Sequence, residues 1–204
     1  MLELLHKGGV IMWPLLACSI TALTIVIERL FFWMVASIRN DQKLTNRIFT
    51  LTESGEFETA VQEGQVSSCI TCRILSTGLA HRNYGLVQSL EAAAMAEIEK
   101  MKRYLTVLDT IITAAPLLGI LGTVSGIIIS FDLLGDAGIE DPKAVTGGIA
   151  QALITTATGL SIAILTLLPY NAFTRKVEKV TRHIEQLITC YEVTVQKGIE
   201  KQCG

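Results

Sequence analysis

Charge is what this chain lacks over long stretches. Only 18% of its 204 residues are Asp, Glu, Lys or Arg, and three runs contain none of them and no histidine: Gly8 to Ile27, Thr110 to Phe131 and Ala144 to Thr174. At about 1.5 Å of rise per residue, roughly 20 residues cross the ~30 Å hydrocarbon layer of a bilayer, so each run is long enough to span it. A soluble chain of the same 50% apolar content would scatter its apolar residues through amphipathic patterns. Their concentration here predicts three transmembrane helices. Histidine is scarce too, and His6, His81 and His183 stand too far apart in sequence to suggest paired metal ligands or an acid–base pair. Between Asn40 and Val87 the basic residues are sparse and unclustered, which argues against a nucleic-acid surface there. The second run lacks the Gly-Lys-Ser/Thr end of a phosphate loop, and Ser125 lacks the glycine two positions earlier that a nucleophile elbow needs. No enzyme activity, cofactor or metal is expected.

The third run exceeds a single crossing. Gly147 and Gly148 are expected to weaken the helix near its start, and Pro169 to kink it near its end. In the first run, Leu15-Leu16-Ala17-Cys18 has the look of a lipoprotein processing site, but Ile20 to Ile27 continues the apolar stretch and Glu28-Arg29 ends it. An uncleaved anchor is the better reading. Five cysteines include the pair Cys69-Ile70-Thr71-Cys72. Without a second such pair or a nearby histidine pair, its spacing alone carries neither a metal nor a redox role.

What charge there is falls on one side. Of seventeen Lys and Arg, all but Lys7 and Lys143 lie in the segments Arg29 to Arg103 and Arg175 to Lys201. The positive-inside rule then predicts an outside amino terminus, an inside 33–108 segment and an inside carboxyl tail. The expected division is an outside terminus and first span over 1–32, a cytoplasmic helical domain over 33–108 and a second span over 109–131. A short acidic outside loop over 132–143, a third span over 144–174 and a cytoplasmic helix over 175–204 complete it. The fold class is all-α.

The cytoplasmic stretches carry helical periodicity. Leu90, Ile98, Met101, Leu105 and Leu108 recur at multiples of three and four, and that helix is expected to run without a break into the second span. After the third span, Phe173, Val177, Val180, Ile184, Leu187, Tyr191 and Val195 form a heptad-like seam suited to packing. Between Asn40 and Val87 a pair of short helices is expected.

Within the second and third runs the small residues are ordered. Ala115, Gly119, Thr123, Gly126 and Ser130 share one helix face, and Gly148, Ala152, Thr156, Gly159 and Ala163 share another. Gly122 adds to the first set. Such faces let helices approach closely in lipid, where burial of apolar surface no longer drives association. Thr123, Thr155, Thr156 and Thr158 also place hydroxyls at membrane depth, able to bond a helix carbonyl or an outside partner. Neither span holds an Asp, Glu, His, Lys or Arg between its ends, so a proton crossing here needs a carboxylate from another chain.

The segment Ala115-Pro116-Leu117-Leu118-Gly119-Ile120-Leu121-Gly122-Thr123-Val124-Ser125-Gly126 resembles the second-helix signature of the ExbB, TolQ and MotA proteins. A second match runs from Gly148 through Gln151-Ala152-Leu153-Ile154-Thr155-Thr156-Ala157-Thr158-Gly159 to Leu160, followed by Tyr170-Asn171. A third, weaker likeness joins Gly8-Gly9 to Trp13-Pro14 and Ile27-Glu28-Arg29-Leu30. The resemblance implies an ExbB-like stator subunit of a proton-driven motor in the bacterial inner membrane. It implies a ring, a homopentamer housing the single-span helices of ExbD- or TolR-like subunits that carry a transmembrane aspartate, and energising of TonB-dependent transport. The pore threonines of that family match Thr123 and Thr156, with Thr155, Ser125 and Gln151 as further pore-lining candidates. Many members carry glutamate where this chain has Gln151, which removes a titratable group from this subunit. A TolQ-like or gliding-type motor subunit and a passive membrane scaffold are the alternatives.

Overall fold

The computed structural model describes residues 9–38, 42–67, 69–137 and 142–203. Every regular element among them is helical: α1 (Met12–Ile38), α2 (Gln42–Glu53), α3 (Phe57–Val66), α4 (Ile70–Ala80), a 3-10 turn (Arg82–Tyr84), α5 (Leu86–Lys102), α6 (Leu105–Ala137) and α7 (Pro142–Cys203). Three stretches are long and apolar enough to cross a membrane, within Met12–Val35, Leu86–Asp132 and Thr146–Lys201. Their most apolar windows are only 22–28% buried, so most of that apolar surface is left for lipid or for other chains. His6, Lys7, Glu140 and Asp141 lie outside the described residues.

The chain divides into two compact units. The first comprises Met1–Arg29 and Tyr104–Phe173, the second Leu30–Arg103 and Thr174–Gly204.

In the first unit, α1, α6 and the early part of α7 pack through Met12, Leu15 and Ala115, with Ile11, Leu118, Ile154 and Ile162 around them. At the end of the α1 segment Arg29 is buried. Its Nη2 donates to Glu28 Oε1 at 2.6 Å, and its guanidinium lies 5.7 Å from the centre of the Tyr104 ring. Cation and ring attract through the ring's electron-rich face.

One expectation about helix continuity fails. The chain does break between α5 and α6: Arg103 has an extended ψ of 134° and Tyr104 a φ of +66°. The left-handed region costs a non-glycine residue roughly 1–2 kcal/mol, so neighbouring contacts must hold it, and the Arg29 guanidinium supplies one. Tyr104 then starts α6, its carbonyl accepting the Val107 and Leu108 amides at 3.1 and 3.2 Å. The helix α7 carries Gly147, Gly148 and Pro169 inside its bounds.

In the second unit three helices rather than two, with the 3-10 turn, occupy the segment before α5. Gly55, at φ +87°, turns the chain between α2 and α3, and the Glu56 amide reaches back to Leu51 O at 2.9 Å to close α2. Ile48, Phe57, Leu75, Leu90, Tyr191 and Val195 are buried in this unit. The Tyr191 hydroxyl lies 2.8 Å from Thr52 Oγ1, whose own proton goes to Ile48 O. Tyr191 is therefore the donor, and burial pushes its phenol up to about 12. Glu97 of α5 pairs with Arg73 at 2.8 Å and with Lys100 at 2.9 Å.

Candidate functional site in the membrane helices

The small residues of α6 and α7 meet. A Cβ added at Gly119 would lie 3.0 Å from Thr156 Cα; one at Gly126 would lie 2.9 Å from Gly148 O and 3.0 Å from Ala152 Cβ; one at Gly159 would overlap Ala115 O. Gly122 abuts the Thr155 side chain, and Gly148 abuts Ser130. Backbones this close leave dispersion between main chains, rather than side-chain interdigitation, as the cohesive contact. Ala115, Ala152 and Ala163 are buried. Gly147 differs from its neighbour: nothing stands within 4 Å of a Cβ placed there.

The five pore-lining candidates separate into three positions. Thr155 is fully buried in the seam, donating to Ala152 O at 2.8 Å. Gln151 lies on the side of α7 toward the first helix, where a Cβ on Gly9, itself at φ +69°, would overlap the Gln151 amide. Ser125 follows Leu118 by seven residues. At about 100° per residue that puts it on the side of α6 that Leu118 turns to the Met12–Leu15 cluster. Thr123 and Thr156 occupy the other edge of the α6–α7 pair, about one turn apart, and both are half-buried.

The hydroxyls at that edge are committed as donors. Thr123 donates to Ile120 O at 2.6 Å, within its own helix, whereas Thr156 donates across the seam to Gly119 O at 2.8 Å. The missing side chain at Gly119 is what opens its carbonyl to Thr156. A hydroxyl has one proton and two lone pairs, so both groups now present only acceptors to anything arriving at this edge. A neutral carboxylic acid or another proton-bearing group can donate to them; a bare carboxylate finds no donor there. Among the described residues no three His, Cys, Asp or Glu come together as a metal site.

A profile of the MotA/TolQ/ExbB proton channel family matches residues 67–186, more than half of the chain and the whole of the α6–α7 seam. This chain belongs to that family. Among its relatives, the putative biopolymer transport protein ExbB-like 3 of Synechocystis sp. is 36% identical over 171 residues, 81% of either chain. A putative biopolymer transport protein ExbB homolog of Methanothermobacter thermautotrophicus is 32% identical over 188 residues, 90% of this chain and 66% of its own. The Tol-Pal system protein TolQ of Haemophilus influenzae is 34% identical over 96 residues, 47% of this chain and 42% of its own. As a MotA/TolQ/ExbB protein with three membrane-length apolar helices, the chain is a membrane protein of a proton channel family. Two features of its first unit had no signal in the sequence: Tyr104, which breaks the helix without glycine or proline, and the Gly119 carbonyl, whose role depends on α7.

Proposed function

We propose that this chain is an ExbB-like stator subunit of a motor in the bacterial inner membrane, driven by the proton-motive force. Five copies form a ring around ExbD- or TolR-like helices, and the edge carrying Thr123 and Thr156 faces the enclosed partner. The amino terminus is periplasmic, the carboxyl terminus cytoplasmic, and a TonB-like protein receives the work. The observation that carries this reading is the pair of hydroxyls with their protons committed to Ile120 O and Gly119 O, in spans with no Asp, Glu, His, Lys or Arg between their ends. Such an edge seats the protonated aspartate of a partner and releases it on ionisation. An ionised aspartate at mid-membrane costs on the order of 3 kcal/mol or more, so it leaves for water or a cation. Each proton supplies roughly 2.3 kcal/mol per 100 mV of potential, which makes repeated steps necessary for mechanical work. The TolQ relative supports a TolQ-like subunit as the second reading.

The test is proton flux into proteoliposomes holding this chain with a co-expressed single-span partner. Thr156→Ala removes one acceptor and is expected to lower flux roughly tenfold, the equivalent of a hydrogen bond worth about 1.4 kcal/mol, while the partner still copurifies. Thr156→Ser restores it. Full flux in both Thr156→Ala and Thr123→Val would refute the assignment, and failure of any aspartate-bearing single-span partner to copurify would favour a passive scaffold.

A further inference from the structure

The structure places the Cys69–Cys72 pair in a setting that its spacing alone did not reveal. Cys69 is the N-cap of α4, with an extended backbone (φ −73°, ψ 126°), and Cys72 lies in the first turn. These are the two positions that exchange hydrogen bonds in a capping box. Both thiols are buried, and the Cys72 thiol is bonded to Cys69 and lies 3.5 Å from Thr45 Oγ1. Inside a helix, Cβ atoms three residues apart stand about 5–6 Å from each other, beyond the ~3.5–4.5 Å of a disulfide. The extended cap residue leaves the helical spiral, so the usual spacing inside a helix does not hold the two cysteines apart. Among the described residues no third ligand is near enough to make a metal site.

The two sulfurs are not equivalent. Cys69 sits at the cap of α4, outside the helical spiral. The neighbouring Cys69 thiol, then burial, push the Cys72 thiol up, so it stays protonated. One is arranged to attack and the other to resolve.

We propose that Cys69 and Cys72 are a redox-active dithiol that closes to an intramolecular disulfide by exchange with a low-molecular-weight disulfide. The Cys69 thiolate attacks one sulfur of the small disulfide, whose S–S bond breaks, and the departing thiolate takes up the proton Cys69 had lost. Cys72 then gives up its proton and attacks the Cys69 sulfur, expelling the second small thiol. Two protein thiols are oxidised, one small disulfide is reduced to two thiols, and two electrons pass to it. Because both sulfurs are buried, attack awaits local unfolding around them. The exposed Cys190, without such a neighbour, reacts sooner but stops at a mixed disulfide.

The full-length protein in native membranes, equilibrated over a range of reduced-to-oxidised glutathione ratios and then alkylated, tests this by peptide mass spectrometry. The peptide holding Cys69 and Cys72 is expected to lose two hydrogens in one transition that dithiothreitol reverses, while Cys190 gains glutathione. In Cys72→Ser, glutathione is expected to stay trapped on Cys69. Two alkylatable thiols at the most oxidising ratio in the native chain would overturn the proposal whether or not that variant folds, and so would separate glutathione adducts on both cysteines.

Discussion

The helix α7 belongs to both units and packs by opposite means in each. In the first unit its inward positions are Gly148, Ala152, Thr155, Gly159 and Ala163; in the second they are Val177, Ile184, Tyr191 and Val195. Water selects the second set, because each large apolar side chain withdrawn from it contributes roughly 1.5–3 kcal/mol. Lipid offers no such gain, so the first set is selected for the approach of backbones and for hydroxyl-to-carbonyl bonds. A polar group follows the same division. Thr156 reaches a main-chain carbonyl that a missing side chain exposes, whereas Tyr191 reaches another side chain inside a hydrophobic core.

The largest expected effect comes from adding bulk to the small-residue seam. Gly159→Leu forces a side chain into Ala115 O, where the obstacle is backbone and cannot swing aside. Overpacking typically costs about 1–3 kcal/mol and more against main chain, so the variant is expected to lose most of its folded population in membranes by protease resistance. Gly147→Leu, which meets open space in this chain, is the matched control and should keep the α6–α7 pairing. Equal loss in both would break the contrast between the two halves of α7.

In the second unit the largest response is to alkali. The Tyr191 phenol, raised from 10.0 to about 12 when folded, binds its proton more tightly in the folded than in the unfolded chain. Its contribution is complete below pH 10 and is lost as pH rises from about 10 through 12, on the order of 2–3 kcal/mol. Tyr191→Phe is expected to remove that part of the alkaline destabilisation and, at neutral pH, to cost about 0.5–1.5 kcal/mol for the lost hydrogen bond to Thr52. Denaturant midpoints at pH 7 and pH 11 for both chains measure the two effects. A wild-type pH dependence that persists in Tyr191→Phe would remove Tyr191 from its cause.

The smallest effect belongs to the Arg73–Glu97–Lys100 group. Arg73 and Lys100 are 41% and 62% exposed, so solvent screens the pairing. Glu97→Gln is expected to shift stability by at most about 1 kcal/mol, and the shift should shrink in high salt. A larger, salt-insensitive loss would mean that this surface packs like the core.

The membrane helices were legible in the sequence because a charge-free run of twenty or more residues cannot alternate between a protein core and a watery surface. The glycine seam was legible because small residues at four-residue spacing share a face. The direction of each hydroxyl was not legible. Thr155 and Thr156 are adjacent, and only the placement of α6 decides that Thr155 is buried under Gly122 while Thr156 reaches Gly119 O. Gln151 likewise sits in a pore-like motif, yet the turn at Gly9 brings the first helix to it. The extra helix of the second unit was missed because α3 and α4, of 10 and 11 residues, are too short for a clear helical period.

Tyr104 is held at φ +66° beside the buried Arg29, and this bears on how the chain can evolve. Glycine at 104 would relieve the backbone and leave a buried guanidinium without its ring. A smaller neutral residue at 29 would leave a strained tyrosine with less to hold it. Neither position is free to drift alone, so lineages that replace one are expected to have replaced the other, and an alignment of close relatives should show 29 and 104 changing as a pair.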